Sequence, residues 1–336
     1  MAKVPGLPDA GHAPGALFES HRWVGSPHWD VDAVHDILRR WRKVADEYPG
    51  DRMFVTEAVV AGAHRLARYL RADEMHTAFN FDYLKAPWDA NALRSAIDST
   101  LSALAPVEAP ATWVLSTHDE TRHVTRYGRR HSGAATMGFD TAEASDLSLG
   151  VRRARAAALL TLALPGTAYI YQGEELGLPE VEDLPEELLQ DPTWERSGRT
   201  ARGRDGCRVP LPWAGQHPPF GFSPPGVDPW LPQPQQWAQF SAQVQQQDPR
   251  SMLSLYRAVL HLRRSLPDLH VPGLTWRPAA AGVLTFDRGE SFRCVVNLSD
   301  RPVSLVGAGR PLIASGFVDG DQLPPDTSVW LDRNIG

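Results

Sequence analysis

At 336 residues, 42% hydrophobic and 22% charged, the chain has enough apolar surface for one large domain and a smaller companion. With 40 acidic against 34 basic residues the net charge is −6, which argues against a nucleic-acid binder and against attraction to an anionic membrane. No apolar run reaches the roughly 20 residues of a membrane span, and Cys207 and Cys294 match no metal or redox spacing, so a reduced, cytoplasmic location is the expectation.

The opening stretch MAKVPGLPDAGHAPGALFES reads as loop and lacks a basic-then-apolar signal pattern. From Asp30 to Tyr48, Val31, Val34, Ile37, Leu38, Trp41, Val44 and Tyr48 recur at three and four, predicting an amphipathic helix stopped by Pro49-Gly50. Within it RRWRK (39–43) reads as a solvated face, and His12, His21, His28 and His35 as surface or capping groups. A short strand over 53–55 follows, then a helix with Ala63, Leu66, Ala67 and Leu70 on one face. HTAFNFDYL (76–84) is a second strand candidate, and residues 89–104 a third helix, with Leu93, Ala96, Ile97, Thr100, Leu101 and Leu104 on one side. TWVLSTHDE (112–120) begins as a strand and turns polar at His118; an Ala/Leu helix over about 150–164 then leads through Pro165-Gly166 into TAYIYQGEE (167–175). Residues 178–235 look irregular, and the proline- and tryptophan-rich 210–237 suits either a sugar-lining loop or a rigid packed one, because proline removes donors and blocks helix. A helix over about 249–265 closes the first domain (1–268), and the alternating runs of 269–336 predict an antiparallel β domain.

Alternating helices and short buried strands predict a parallel α/β architecture. Polar groups gather just after the strands, as Glu57, Asp82, His118-Asp119 and Gln172 to Glu175, which suits a (β/α) barrel, whose site lies at the C-terminal strand ends. Only four strand-plus-helix units are visible, whereas a closed barrel of this type needs eight. Glu57 and Asp119 fit the carboxyl groups that flank a glycosidic bond, and imidazole beside carboxylate at 118–119 suits a grip on sugar hydroxyls. For each the alternative is a structural, salt-bridged group. No HExxH or similar spacing supports a metal site, and no cofactor is implied.

In order, FVTEA, LSTHDETRHVTRYG, YIYQGEELGL and GRDGCRVPLPW resemble the α-glucosidase branch of the α-amylase superfamily, glycoside hydrolase family 13. Thr117 departs from that family's usual Asn. The resemblance implies the C-terminal half of a (β/α)8 TIM barrel, about strands five to eight, followed by an antiparallel β-sandwich. It implies Glu57 as general acid/base, Asp119 as the transition-state-stabilising carboxylate, and His118 and, more loosely, Arg204 as substrate-binding groups. Glu174, Glu175 and Asp82 would be structural.

The family's nucleophile is an Asp in a stretch like Gly-Phe-Arg-x-Asp-x-x-His-Gly, and these 336 residues contain none. Relatives carry a segment like MAKVPGLPDAGH directly after it, so the resemblance implies an N-terminally truncated chain. Asp9 and Asp30 are weak substitutes, since neither follows a strand-like run. The expected function is a retaining glycosidase acting on maltose- or isomaltose-type oligosaccharides, inactive as this fragment. A transglycosylase or sugar isomerase of the same superfamily, and a non-catalytic carbohydrate-binding or interaction remnant, are the alternatives. The expected partners are an oligosaccharide and, through the exposed edges of half a barrel, a second copy or the missing N-terminal half.

Overall fold

The computed structural model describes residues 28–133, 143–224 and 226–334; Asp9, His12 and His21 lie outside them. Helix α1 (Ala33–Asp46) precedes β1 (Val55–Thr56), followed by α2 (Ala63–Ala67), β2 (Thr77–Ala78), α3 (Phe81–Lys85) and α4 (Ala90–Leu104). Next come β3 (Thr112–Val114), α5 (His123–Tyr127), α6 (Leu147–Ala163) and β4 (Thr167–Tyr169). Strands β1 and β2 run parallel, with Val55 opposite Thr77, and β3 and β4 run parallel, with Thr112 opposite Thr167. Between the two pairs the Thr77 and Thr112 hydroxyls touch, and Thr112 Oγ1 lies 3.2 Å from Thr167 Oγ1, so hydroxyls bridge β2, β3 and β4 at one level. The alternation of parallel strand and helix is that of a partial (β/α) barrel, as the sequence predicts.

Local chemistry sets the helix boundaries. The Asp89 carboxylate accepts from Ala92 N at the start of α4, and Asp146 accepts from Leu149 N at the start of α6, filling donors left free by a first turn. Gly150 lets α6 pack on α5, because a Cβ there would sit 2.0 Å from the Val124 carbonyl oxygen. The run 76–84 is not one strand: pairing stops at Ala78, and Asn80 accepts from Tyr83 N to open α3. An apolar run short enough for either element was resolved by a cap. His35 is also not a surface group; it is buried, with Nδ1 2.6 Å from Glu74 Oε2. Along α1, Leu38 is buried, but Trp41 and Val44 of the same predicted apolar face stay exposed, as do Tyr48, two residues past the end of α1, and Met53 before β1.

After β4 the chain is mostly irregular, broken by α7 (Pro192–Arg196) and α8 (Ala242–Gln245), before α9 (Met252–Ser265). The remainder is antiparallel: β5 (Thr275–Trp276), β6 (Val283–Arg288), β7 (Phe292–Asn297), β8 (Val303–Ser304), β9 (Arg310–Ala314), β10 (Gln322–Leu323) and β11 (Thr327–Asp332). Five strands form one sheet in the order β5-β6-β7-β11-β9, and β8 and β10 form a ribbon of their own. Alternation assigns the two faces. Phe292, Cys294, Val296 and Trp330 join the core shared with α6, while Val295, Val329 and Leu331 pack with Leu305 and Leu323 of the ribbon side. Ser328 Oγ and Trp330 Nε1 donate to the α6 carbonyls of Ala156 (2.8 Å) and Leu159 (3.0 Å).

Trp330 therefore fastens the sheet to the barrel helices, its ring set edge-on to Phe292 at 5.2 Å. Trp330→Ala should cost about 3–5 kcal/mol of unfolding free energy in urea titrations. A loss under about 1 kcal/mol would show that the sheet is held elsewhere.

Candidate active site

Two of the parallel strands end in the residues the sequence singled out. Glu57 directly follows β1, and His118-Asp119 follow β3 after the buried Leu115 and Ser116. Asp119 is buried, and a carboxylate there is stable only when paired. Its Oδ1 accepts from Arg204 Nη1 at 3.0 Å and from Arg208 Nη2 at 2.8 Å, with His118 Nε2 3.4 Å away. Among the described residues no hydrogen bond occupies Oδ2, which leaves that oxygen for a ligand hydroxyl.

Both arginines belong to GRDGCR, on or beside the 3-10 turn Asp205–Arg208. Their reach is fixed from behind. Asp191 Oδ2 accepts from the backbone N of Arg204 (3.0 Å) and from its Nε, while Asp205 Oδ2 accepts from the backbone N–H groups of Gln190 (2.7 Å) and Asp191 (2.9 Å). Arg208 Nε donates to the His118 carbonyl at 2.8 Å. Arg122 ties three loops together: its Nη1 donates to Gln172 O and its Nη2 to Cys207 O, both at 2.8 Å, and its backbone N to Glu180 Oε2 at 2.9 Å.

Glu57 is exposed, yet its pKa is raised above the ordinary carboxylate value. Partial desolvation by neighbouring atoms is the first cause and the negative charge of Asp119 the second, with His118 and Arg204 opposing. A carboxyl that holds its proton more tightly beside an ion-paired one is the pattern expected of a general acid.

The structure thus brings Asp119, His118 and Arg204 into contact and sets Glu57 close enough to feel their charges. The other carboxylates that the sequence named have settings of their own. Asp30 is engaged by Arg65 Nε and the Tyr69 hydroxyl, both at 2.5 Å. Glu174 is buried, pushed up to about 8 by that burial, and accepts from the Tyr256 hydroxyl at 2.6 Å; Glu175 accepts from Gly173 N at 2.9 Å. Asp82 is exposed in the first turn of α3. Sequence reasoning passed over Arg208, Asp191, Asp205 and Arg122. A signal existed for Arg208, since two arginines four apart around one Asp reach the same side of a tight turn, but nothing in the sequence tied Asp191 to Arg204. Among the described residues no group of three or more His, Cys, Asp or Glu could hold a metal ion, and no helix is long and apolar enough to cross a membrane.

The chain is similar to known proteins over most of its length. The family described as alpha amylase, catalytic domain, matches residues 1–270. A probable alpha-glucosidase of Rhizobium meliloti (strain 1021) is 32% identical over 297 residues, covering 84% of this chain and 49% of that protein. Among solved structures, the alpha-glucosyl transfer enzyme XgtA superposes with a TM-score of 0.71 at 29% identity, over 90% of this chain and 54% of its own. The trehalulose synthase MutB of Pseudomonas mesoacidophila MX-45 gives a TM-score of 0.75 at 22% identity, over 98% and 63%. The chain spans about half the length of the curated relatives it matches.

The Asp191–Arg204 pair has a pH signature. Burial pushes Asp191 upward, but the Arg204 guanidinium and the Thr193 N–H outweigh it and bring its pKa down to about 2. A carboxylate depressed in the folded state stabilises above its unfolded pKa, and that contribution is lost as pH falls from about 4 toward 2. Asp191→Asn should remove roughly 2 kcal/mol at neutral pH and flatten the acid limb of the stability profile in that window. An unchanged limb in urea titrations would show that the pair contributes nothing.

Proposed function

This chain belongs to the alpha-amylase family, and on that premise we propose that it carries the acid/base and stabilising carboxylates of a retaining α-glucosyl-transfer site. The observation that supports this reading is the pairing at the strand ends. Asp119 is fastened by two guanidiniums through one oxygen, beside a Glu57 whose proton affinity is raised. In the proposed reaction Glu57 protonates the departing glycosidic oxygen and later takes a proton from the acceptor. Asp119 Oδ2 and His118 hold hydroxyls of the sugar whose anomeric carbon reacts, and the negative charge of Asp119 stabilises the cationic ring. Arg204 and Arg208 keep that carboxylate in place. A nucleophilic carboxylate completes the reaction, and since these residues contain no match to the family's Gly-Phe-Arg-x-Asp stretch, we assign that role to none of them.

The acceptor separates two activities that share the first step. Transfer to a sugar hydroxyl, as a transglycosylase or isomerase performs it, draws support from the likeness to XgtA, described as an alpha-glucosyl transfer enzyme. Transfer to water draws support from the Rhizobium meliloti relative, named a probable alpha-glucosidase.

The 336-residue polypeptide alone should release no p-nitrophenol from p-nitrophenyl α-glucoside above background. Fused behind the first barrel half of the Rhizobium meliloti relative, it should turn the glucoside over, and Glu57→Gln should lower kcat by about 10²–10⁴-fold. Product analysis of the fusion with maltose as acceptor separates transfer from hydrolysis. Turnover by the polypeptide alone, abolished by Glu57→Gln, would overturn the assignment of the nucleophile outside these residues; a fusion indifferent to Glu57→Gln would overturn its role as acid.

A further inference from the structure

The barrel carries a cleft at the ends of β3 and β4 opposite to those that bear Asp119. It has a volume of about 530 Å³, within the range of small-molecule sites, and opens between Pro110 before β3, Pro165-Gly166 before β4 and the segment joining α9 to β5. Four basic side chains line it, Arg263, Arg264, His270 and Arg288, and no acidic residue does. On a chain of net charge −6, such a one-sided wall stands out.

Among the described residues no ion pair joins the side chains of this wall to a carboxylate. Arg288 is buried, and its Nη atoms donate to three carbonyls: Ala163 at 2.8 Å, Leu269 at 3.0 Å and Val271. Arg263 also serves three carbonyls: Leu162, Leu164 at 3.2 Å and Gly166 at 2.7 Å. Carbonyl dipoles around the end of α6 satisfy geometry but supply only partial negative charge. Each guanidinium has five N–H donors, so two on each stay unengaged by these bonds. Asp287, next to Arg288, is paired with Arg277, Arg293 and Arg333, and Asp268 accepts from Ser291 and the Glu290 backbone N rather than from a guanidinium of the wall. Among the described residues Arg264 makes no hydrogen bond or ion pair, and it is exposed at the mouth together with His270, whose Nε2 lies 3.1 Å from the Arg263 carbonyl. Burial, and after it the charge of Arg263, bring Arg288 down to about 10, with the more weakly acting charge of Asp268 opposing.

We propose that this cleft binds a small phosphate-bearing anion, with Arg264 and His270 meeting it at the mouth and Arg263 and Arg288 supplying the positive wall. Guanidinium forks match phosphate oxygens in pairs, and a dianion offsets two neighbouring cations that carbonyls leave uncompensated. The site is separate from Asp119, whose arginines lie beyond the C-terminal end of β3, whereas this cleft opens before the first residues of β3 and β4.

Isothermal titration of the full chain with inorganic phosphate and with glucose 6-phosphate tests this, using glucose and sodium chloride at matched ionic strength as controls. Both phosphates should bind, and the double variant Arg264→Glu/His270→Glu should weaken them by at least about tenfold. Both residues are exposed, so the urea midpoint of that variant should match the parent, which keeps loss of binding distinct from loss of fold. Tighter binding of glucose 6-phosphate supports a phosphorylated sugar as the ligand, and equal binding supports phosphate itself. Binding unaffected by the double variant would place the anion elsewhere, for instance on Arg204 and Arg208, and would overturn the proposal. So would the absence of binding at millimolar concentrations, or binding that chloride matches.

Discussion

The carboxylate of Asp119 is the constraint around which the polar end of the barrel is organised. A buried negative charge at the end of a strand must be paired, because an orphaned one costs several kcal/mol. The pairing comes from Arg204 and Arg208, more than 80 residues away, so the loop that carries them has to be held at the mouth of the strands. Asp191 and Asp205 hold it from behind by backbone and side-chain bonds, and Arg122 locks the same turn to the loop after β4. A segment with little regular structure is thus fixed by a chain of charge-assisted hydrogen bonds that starts at one oxygen atom. The same chain leaves the second oxygen of Asp119 without a hydrogen bond among the described residues.

Helix α6 is the other organising element. Its residues from Ala156 to Ala163 are buried throughout, so the helix serves two layers at once, the parallel strands on one side and the antiparallel sheet on the other. That dual role explains why Phe292, Cys294, Val296 and Trp330 of the sheet belong to the same apolar cluster as Trp113 of β3. The barrel strands are short, two or three residues each. Where cover is lacking, at Trp41, Val44, Tyr48 and Met53, apolar surface remains open to solvent.

Much of this was legible in the sequence, for identifiable reasons. Helical periodicity reports burial on one face, and it located α1, α2 and α4, while an Ala/Leu-rich run marked α6; polar residues directly after apolar runs reported strand ends, which singled out Glu57 and His118-Asp119. Period and spacing are local, however. They gave no access to the Asp191–Arg204 pair, which closes over an irregular loop, or to Arg208, whose partner lies 89 positions earlier. HTAFNFDYL was misread because two strand residues and a capped helical turn share one apolar pattern, and only the Asn80 cap distinguishes them. His35 was misread because its buried partner, Glu74, lies on a different element. The apolar stripe of α1 is legible as a stripe but its exposure at Trp41 and Val44 is not, since a periodic pattern shows which face seeks cover but not whether cover is present.

Glu57 gains its meaning from Asp119, and that coupling is open to direct measurement. Carbon-13 NMR of the glutamate carboxyls, with Glu57 assigned by substitution, should give Glu57 a pKa above the ordinary carboxylate value in the parent chain. In Asp119→Asn, which removes the negative neighbour and leaves Arg204 with Asp191 and Arg208 with the His118 carbonyl, that pKa should fall. An ordinary Glu57 pKa that does not move when Asp119 is neutralised would contradict the reading of these two residues as one catalytic pair.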